Sequence, residues 1–160
     1  MRKSLLLTAL FMLVALFGVK AQAWQYELTS ADGLPGKNMG MYWQLPNIQA
    51  FHSIVPVSIM EFYPEVGVKR DVSSKPSTEY YQLRSLLSVK YLFIKEAEEE
   101  QAPMPGYTYF DTQNGFNIYT NDNFLPMGFA YDAYITRETF DEATKTNRVR
   151  MLLKGIVLDE

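Results

Sequence analysis

The sequence predicts an α+β domain, a small antiparallel sheet with helices packed on one side, preceded by an apolar N-terminal signal or anchor helix. Three observations predict it. Residues 5–19 (LLLTALFMLVALFGV) form an apolar run behind Arg2 and Lys3. Residues 107–121 (YTYFDTQNGFNIYTN) place two aromatic-rich stretches around Asn114-Gly115, a dipeptide suited to a tight turn that needs positive φ. Other segments show helical spacing behind a Ser or Thr able to cap them. With 160 residues, the chain is long enough to bury a core without a metal or a disulfide.

The run 5–19 has 15 residues. That is about 22 Å as a helix, short of the roughly 30 Å hydrocarbon core of a bilayer. Lys20 and then Ala21-Gln22-Ala23 follow it, a small-x-small pattern of the kind signal peptidases cut. The chain therefore divides into residues 1–23, a cleaved signal or a membrane anchor with Lys20 snorkelling to the interface, and residues 24–160, an extracytoplasmic domain. Residues 24–50 read as a short strand and then loop, broken at Asp32-Gly33, Pro35-Gly36 and Leu45-Pro46.

Ser53 can cap a helix across SIVPVSIMEFY, with Pro56 tolerated in the first turn and Pro64 stopping the helix at Tyr63. Ile54, Val55, Val57, Ile59, Met60 and Phe62 occupy nearly every side of it, which predicts burial all round. Ser77 or Thr78 caps a second helix, TEYYQLRSLL, in which Tyr80, Leu83 and Leu87 recur at helical spacing. It feeds directly into residues 89–94 (VKYLFI), read as a central strand buried on both faces. Lys90 is the one charge in that run; it reaches a sheet edge or a carboxylate, or packs its stem on the sheet with its ammonium in water. After the hairpin, Leu125-Pro126-Met127-Gly128 turns the chain into another strand, FAYDAYIT. Thr136 caps a last helical stretch that runs to Leu153 with a break near Asn147, and Gly155 ends it before a strand at residues 156–158. The domain is expected to be incomplete at its C-terminus, leaving an open sheet edge at residues 156–158.

Composition excludes several chemistries. With no Cys and a single His, the chain has no disulfide, thiolate nucleophile or Cys-ligated metal, and no metal or other cofactor is expected. Residues 1–23 hold three of the 15 bases and none of the 18 acids, so the remainder carries a formal charge of −6. Its bases are scattered and its densest charge run, EAEEE at residues 96–100, is acidic, which argues against a nucleic-acid partner. His52-Ser53 does not make a hydrolase site, because neighbours on a helix do not face each other and Ser53 serves as a cap. The carboxylates Glu61, Asp111, Asp122 and Asp132 lie near aromatics, but no spacing singles out a catalytic pair. Trp24, Trp43, Tyr107, Tyr109 and Tyr119 could stack on sugars, or could pack with wet hydroxyls.

The succession of landmarks resembles the extracytoplasmic part of the bacterial membrane protein YfhO family. The pieces that carry the resemblance are Asn38, Phe51-His52-Ser53, Leu87-Ser88-Val89-Lys90-Tyr91, Ile118-Tyr119-Thr120-Asn121 and Leu125-Pro126-Met127-Gly128-Phe129, in the family's order from about Gln25 onward. The resemblance implies a piece of a large polytopic protein similar to glycosyltransferases that take sugar from a polyprenyl-phosphate carrier outside the cytoplasmic membrane, linked to glycosylation of envelope polymers such as teichoic acids. In those enzymes the catalytic acids lie among membrane helices, and this sequence has one apolar segment in place of about a dozen. Transferase activity therefore does not carry over, and no catalytic residue is assigned. His52, Ser53, Lys90, Asn121 and Pro126 are signature positions without an assigned role.

Three functions compete. The first is a non-catalytic extracytoplasmic domain or fragment of a YfhO-like protein in the bacterial cytoplasmic membrane, partnered by the membrane surface or a polytopic membrane protein and by an envelope glycan or lipid-linked sugar. The second is a small secreted binding or structural module. The third is a secreted hydrolase using His52 with a carboxylate, in which one His would supply the acid-base work near neutral pH.

Overall fold

The computed structural model of the protein describes residues 44, 46–48, 54–69, 75–96 and 103–159, together with the backbone of residues 25–28. His52, Ser53, Asn38, Trp24, Trp43 and the apolar run 5–19 lie outside the described residues.

Among the described residues six strands and four helices follow in order: β1 (Gln25–Leu28), α1 (Val57–Glu65), a 3₁₀ turn (Thr78–Tyr80), α2 (Gln82–Leu86), β2 (Val89–Lys95), β3 (Tyr107–Gln113), β4 (Phe116–Asn121), β5 (Tyr134–Thr136), α3 (Arg137–Glu142), α4 (Lys145–Leu152) and β6 (Ile156–Leu158). The main sheet has the order β1-β2-β4-β3. Its last three strands are antiparallel, as the sequence predicts, but β1 joins β2 in parallel. The long connection carrying α1 and α2 returns the chain to the same end of the sheet, which is what a parallel neighbour requires. The hairpin forms where Asn-Gly places it: Asn114 and Gly115 take φ of 51° and 77°, and Gln113 pairs with Phe116.

α1 departs from expectation three times. It begins at Val57, with Pro56 as its N-cap and the Pro56 carbonyl accepting from the Ile59 and Met60 amides at 3.1 and 3.2 Å. The residue before a proline avoids the helical region, so the helix cannot extend back through Val55. It also passes Pro64 and ends at Glu65. Pro64, which is exposed, has no N–H to offer the Met60 carbonyl, and bonds from Val68 N and Gly67 N to Tyr63 O and Pro64 O close the end. Finally, α1 is not buried all round: Val57 is 69% and Met60 48% exposed, and only Tyr63 is buried. The helix packs by its C-terminal end alone.

That end enters a cluster of Tyr63, Val66, Val68, Leu83 and Val149, where α1, α2 and α4 meet. A second cluster of Leu92, Ile94, Met104 and Tyr107, with Tyr81 and Tyr119 against it, lies on one face of the sheet. α2 bridges the two, sending Leu83 into the first while Tyr81, just ahead of it, packs on the second. The strand predicted at residues 129–136 shrinks to β5, and it does not join the main sheet. It pairs in parallel with β6 in a separate two-stranded sheet. Residues 129 and 130 are exposed with no strand beside them, and Phe129 instead meets Tyr131 edge-on at 5.0 Å. The last helical stretch breaks at Ala143-Thr144 rather than near Asn147, because Thr144 caps α4 by accepting from the Asn147 amide, as Thr136 caps α3 through Thr139.

Candidate functional site: a neutral groove beside Asn121

The passage from α2 into β2 is abrupt. Ser88, buried and at φ 57°, reverses the chain between Leu87 and Val89. Its amide donates to the Ser85 carbonyl at 3.1 Å, so the last turn of α2 lies directly against the first residue of β2. Asn121, the final residue of β4, fills the corner. Its Nδ2 donates to Ser85 Oγ at 3.2 Å and to the Val89 carbonyl at 3.0 Å, and its Oδ1 accepts from the Asn123 amide at 3.0 Å. One amide side chain thereby ties helix, central strand and the loop after the hairpin. The main chain of the same loop is fixed by Asp122 N donating to Gly106 O at 2.8 Å and Phe124 N to Asn121 O at 3.3 Å.

Between these elements opens a groove of about 470 Å³, lined by the aromatic residues Tyr81, Tyr107 and Phe124 and by Gln82, Asn121 and Asn123. Pro105, Leu125 and Leu153 complete its apolar parts, and no carboxylate, Lys or Arg lines it. Rings beside neutral donors and acceptors are the lining that suits an uncharged polyhydroxylated ligand, whose C–H faces stack while its hydroxyls hydrogen-bond. Lys90 adds a cation nearby: its Nζ stands 5.7 Å from the Phe124 ring centroid and 5.2 Å from that of Tyr91.

Of the signature residues, Lys90 and Asn121 both meet Phe124, one at its ring and the other at its amide, and Pro126 is exposed two residues beyond that ring. Among the described residues Lys90 takes neither a sheet edge nor a carboxylate. The β1 ladder steps from Val89 to Tyr91 and skips it, and its ammonium rests on aromatic rings. Pro126 and Gly128 turn the chain, but into irregular structure rather than directly into a strand. The carboxylates do not converge: Asp111 binds Thr112 N and Gln113 Nε2, Asp122 accepts from Thr108 Oγ1 at 2.9 Å, and Glu61 and Asp132 are exposed. Among the described residues no three His, Asp or Glu side chains are grouped to hold a metal. Nor do the tyrosines form one platform. Tyr107 is buried in the sheet cluster, whereas Tyr109 is 56% exposed and meets Tyr119 edge-on at 5.9 Å. Sequence reasoning missed Tyr81, Gln82, Asn123 and Phe124; the run Asn121-Asp122-Asn123 before an aromatic was the available signal, since such residues build turns that expose their side chains.

A second charged cluster binds the helices together away from the groove. Arg148, nearly buried, donates to Glu65 Oε2, to the Asp141 carbonyl at 2.7 Å and to the Ala143 carbonyl at 3.2 Å, with its guanidinium 4.9 Å from the Phe140 ring centroid. Arg137 pairs with Asp159 at 2.8 Å, and that hydrogen bond raises the guanidinium pKa above its ordinary value.

Among the described residues no helix is long and apolar enough to cross a membrane. No curated protein and no solved structure matches the chain. The sequence profile of the family described as bacterial membrane protein YfhO matches residues 5–160, which takes in every described residue and the whole of the apolar run 5–19. The chain belongs to the bacterial membrane protein YfhO family.

Proposed function

We propose that residues 24–160 form a non-catalytic extracytoplasmic domain that recognises a sugar unit, from an envelope glycan or a lipid-linked sugar, in the groove beside Asn121. The observation that carries this reading is the lining: aromatic and amide-bearing residues around about 470 Å³, with no Asp, Glu, Lys or Arg among them. A pyranose ring fits such a space, stacking on Tyr81 or Phe124 and bonding to Gln82 and Asn123. Membership of a membrane-protein family supports a site held near a membrane, and the apolar run at 5–19 is the segment that would tether or export it. The groove holds binding groups and not a paired acid and base, so the role proposed is recognition, with any transfer chemistry performed elsewhere.

Saturation-transfer NMR of the full chain against a panel of neutral hexoses and N-acetylhexosamines tests the reading. At least one sugar is expected to show transfer, and Phe124→Ala together with Asn123→Ala to abolish it while the fold persists by circular dichroism. Transfer from no sugar in the panel, or transfer unchanged in the double variant, would refute it.

A further inference from the structure

We propose that the pocket between α1, α3, α4 and β6 is a second binding site, independent of the groove beside Asn121, and that it takes a small organic cation: a primary amine carried on a single ring or a short alkyl body. The pocket holds about 350 Å³, at the small end of the range for ligand sites, and it shares no lining residue with the groove. One wall is α1. Ser58, Glu61, Phe62 and Glu65 all line the pocket, and a spacing of i, i+3, i+4 and i+7 places them on one face of that helix. The other elements contribute Phe140 from α3, Leu152 from α4 and Val157 from β6, together with Arg137 at the start of α3.

Charge decides the class of ligand. Arg137 is already engaged: its Nε meets Asp159 Oδ1 at 2.8 Å and its Nη1 stands 3.9 Å from Asp141 Oδ1. Glu65 is engaged as well, by Arg148, whose Nη2 stands 3.6 Å from Asp141 Oδ1. Glu61 is exposed, and its carboxylate enters no hydrogen bond or ion pair among the described residues. The cluster therefore sets the carboxylates of Glu61, Glu65, Asp141 and Asp159 against the guanidinia of Arg137 and Arg148, an excess of negative charge that favours a cation and repels an anion. A metal ion does not fit, because among the described residues no three His, Asp or Glu side chains are grouped to hold one. Nor does the cation settle on Phe140, whose ring already carries both guanidinia at 5.6 and 4.9 Å from its centroid. The ammonium pairs with Glu61, with the Ser58 hydroxyl one turn earlier as a further acceptor, and the apolar body packs against Phe62, Leu152 and Val157.

Phenethylamine is a probe with these two parts, and phenethyl alcohol carries the same ring on a neutral head. In saturation-transfer titrations of the full chain at low ionic strength, the amine is expected to bind at least about threefold more tightly than the alcohol, the scale of an ion pair at an exposed carboxylate. Glu61→Gln should bring the two probes to equal affinity, whereas Glu79→Gln, which removes a carboxylate outside the pocket, should leave the preference intact. Ser58→Trp, which fills the pocket from an exposed position, should abolish transfer to both probes with an unchanged circular dichroism spectrum. No transfer from the amine in the native chain, equal affinities there, a preference that survives Glu61→Gln or is lost equally in Glu79→Gln, or binding unchanged in Ser58→Trp would overturn the proposal.

Discussion

Asn121→Ala is expected to lower stability by about 2–3 kcal/mol, a large effect for removing one polar side chain from the edge of a groove. The substitution deletes three hydrogen bonds, at 3.2 Å to Ser85 Oγ, 3.0 Å to Val89 O and 3.0 Å from Asn123 N. Their consequences differ. Ser85 Oγ loses a donor and the Asn123 amide an acceptor, but both residues line an open groove that admits water, so each contributes at the low end of the roughly 0.5–1.5 kcal/mol typical of a net hydrogen bond. Val89 is fully buried, and its carbonyl loses a donor that water cannot replace, a loss of about 1–3 kcal/mol. Urea unfolding monitored by circular dichroism reads the sum as a midpoint lowered by about 1–2 M at unchanged slope. Asn121→Asp sharpens the assignment. At neutral pH it presents a carboxylate to the Val89 carbonyl and should be at least as destabilised. As pH falls and the buried acid protonates, it regains a donor, so its deficit should narrow. A loss below about 1 kcal/mol in the Ala variant, or an Asp variant whose deficit is flat from pH 7 to pH 4, would refute the account of this corner.

Three further outcomes are expected. Leu83→Ala, at a position fully buried where α1, α2 and α4 meet, should cost about 2–5 kcal/mol in urea unfolding; a cost below about 1 kcal/mol would mean that the helical cluster does not hold the domain. Gly115→Ala should cost about 1 kcal/mol through backbone conformation alone, because φ is 77° and an added Cβ meets nothing within 4 Å; an unchanged melting temperature would contradict the turn. Burial pushes the Tyr131 hydroxyl above the ordinary tyrosine value near 10, so the native state keeps this proton after the unfolded chain releases it. Its contribution is complete below about pH 10 and is lost as pH rises through the folded value; Tyr131→Phe should flatten the fall in urea midpoint above pH 10, and an identical fall in both proteins would count against it.

The elements legible in the sequence were those whose signal is local. Asn114-Gly115 specifies its turn by two positive φ values, and Thr136 caps the helical stretch it was read to cap, whereas Ser77 caps only the 3₁₀ turn and α2 begins at Gln82 behind Tyr81 without a side-chain cap. Apolarity misled where partners decide the outcome. Val57, Ile59 and Met60 read as core because they are apolar, yet burial depends on what a helix packs against, and α1 reaches the cluster only by its far end. Residues 129–132 alternate like a strand but have no strand paired with them among the described residues, and β1 became a parallel neighbour of β2 through a connection whose path no local pattern encodes. At the groove, Asn121 was singled out as a strand end and proved to be a junction, whereas Tyr81 and Gln82 were read only as helix. Their place on the groove follows from the way α2 meets β4, across some 40 residues of chain.

The groove's walls are joined by polar contacts more than by apolar packing, and the shortness of the helices explains why. In helices of five to nine residues, most backbone groups are end groups that no turn of the same helix satisfies. Side-chain donors must meet them, and a guanidinium carries five in one rigid fork. Arg84 is fully buried and reaches the Ser77 and Pro76 carbonyls at 2.6 and 2.7 Å, fixing the approach to the 3₁₀ turn that delivers Tyr81 and Gln82. Arg148, on α4, gathers the Asp141 and Ala143 carbonyls at the end of α3 while holding Glu65 at the end of α1. These two arginines occupy positions where an aliphatic side chain would fill the volume but leave several carbonyls without donors. The groove's shape therefore depends on Arg84 and Asn121 acting from its two sides, one through the backbone ahead of α2 and one through the corner between α2 and β2. A ligand that bridges Gln82 and Asn123 would bind across that junction, and its affinity should follow the integrity of the two polar anchors more closely than the volume of the apolar clusters behind them.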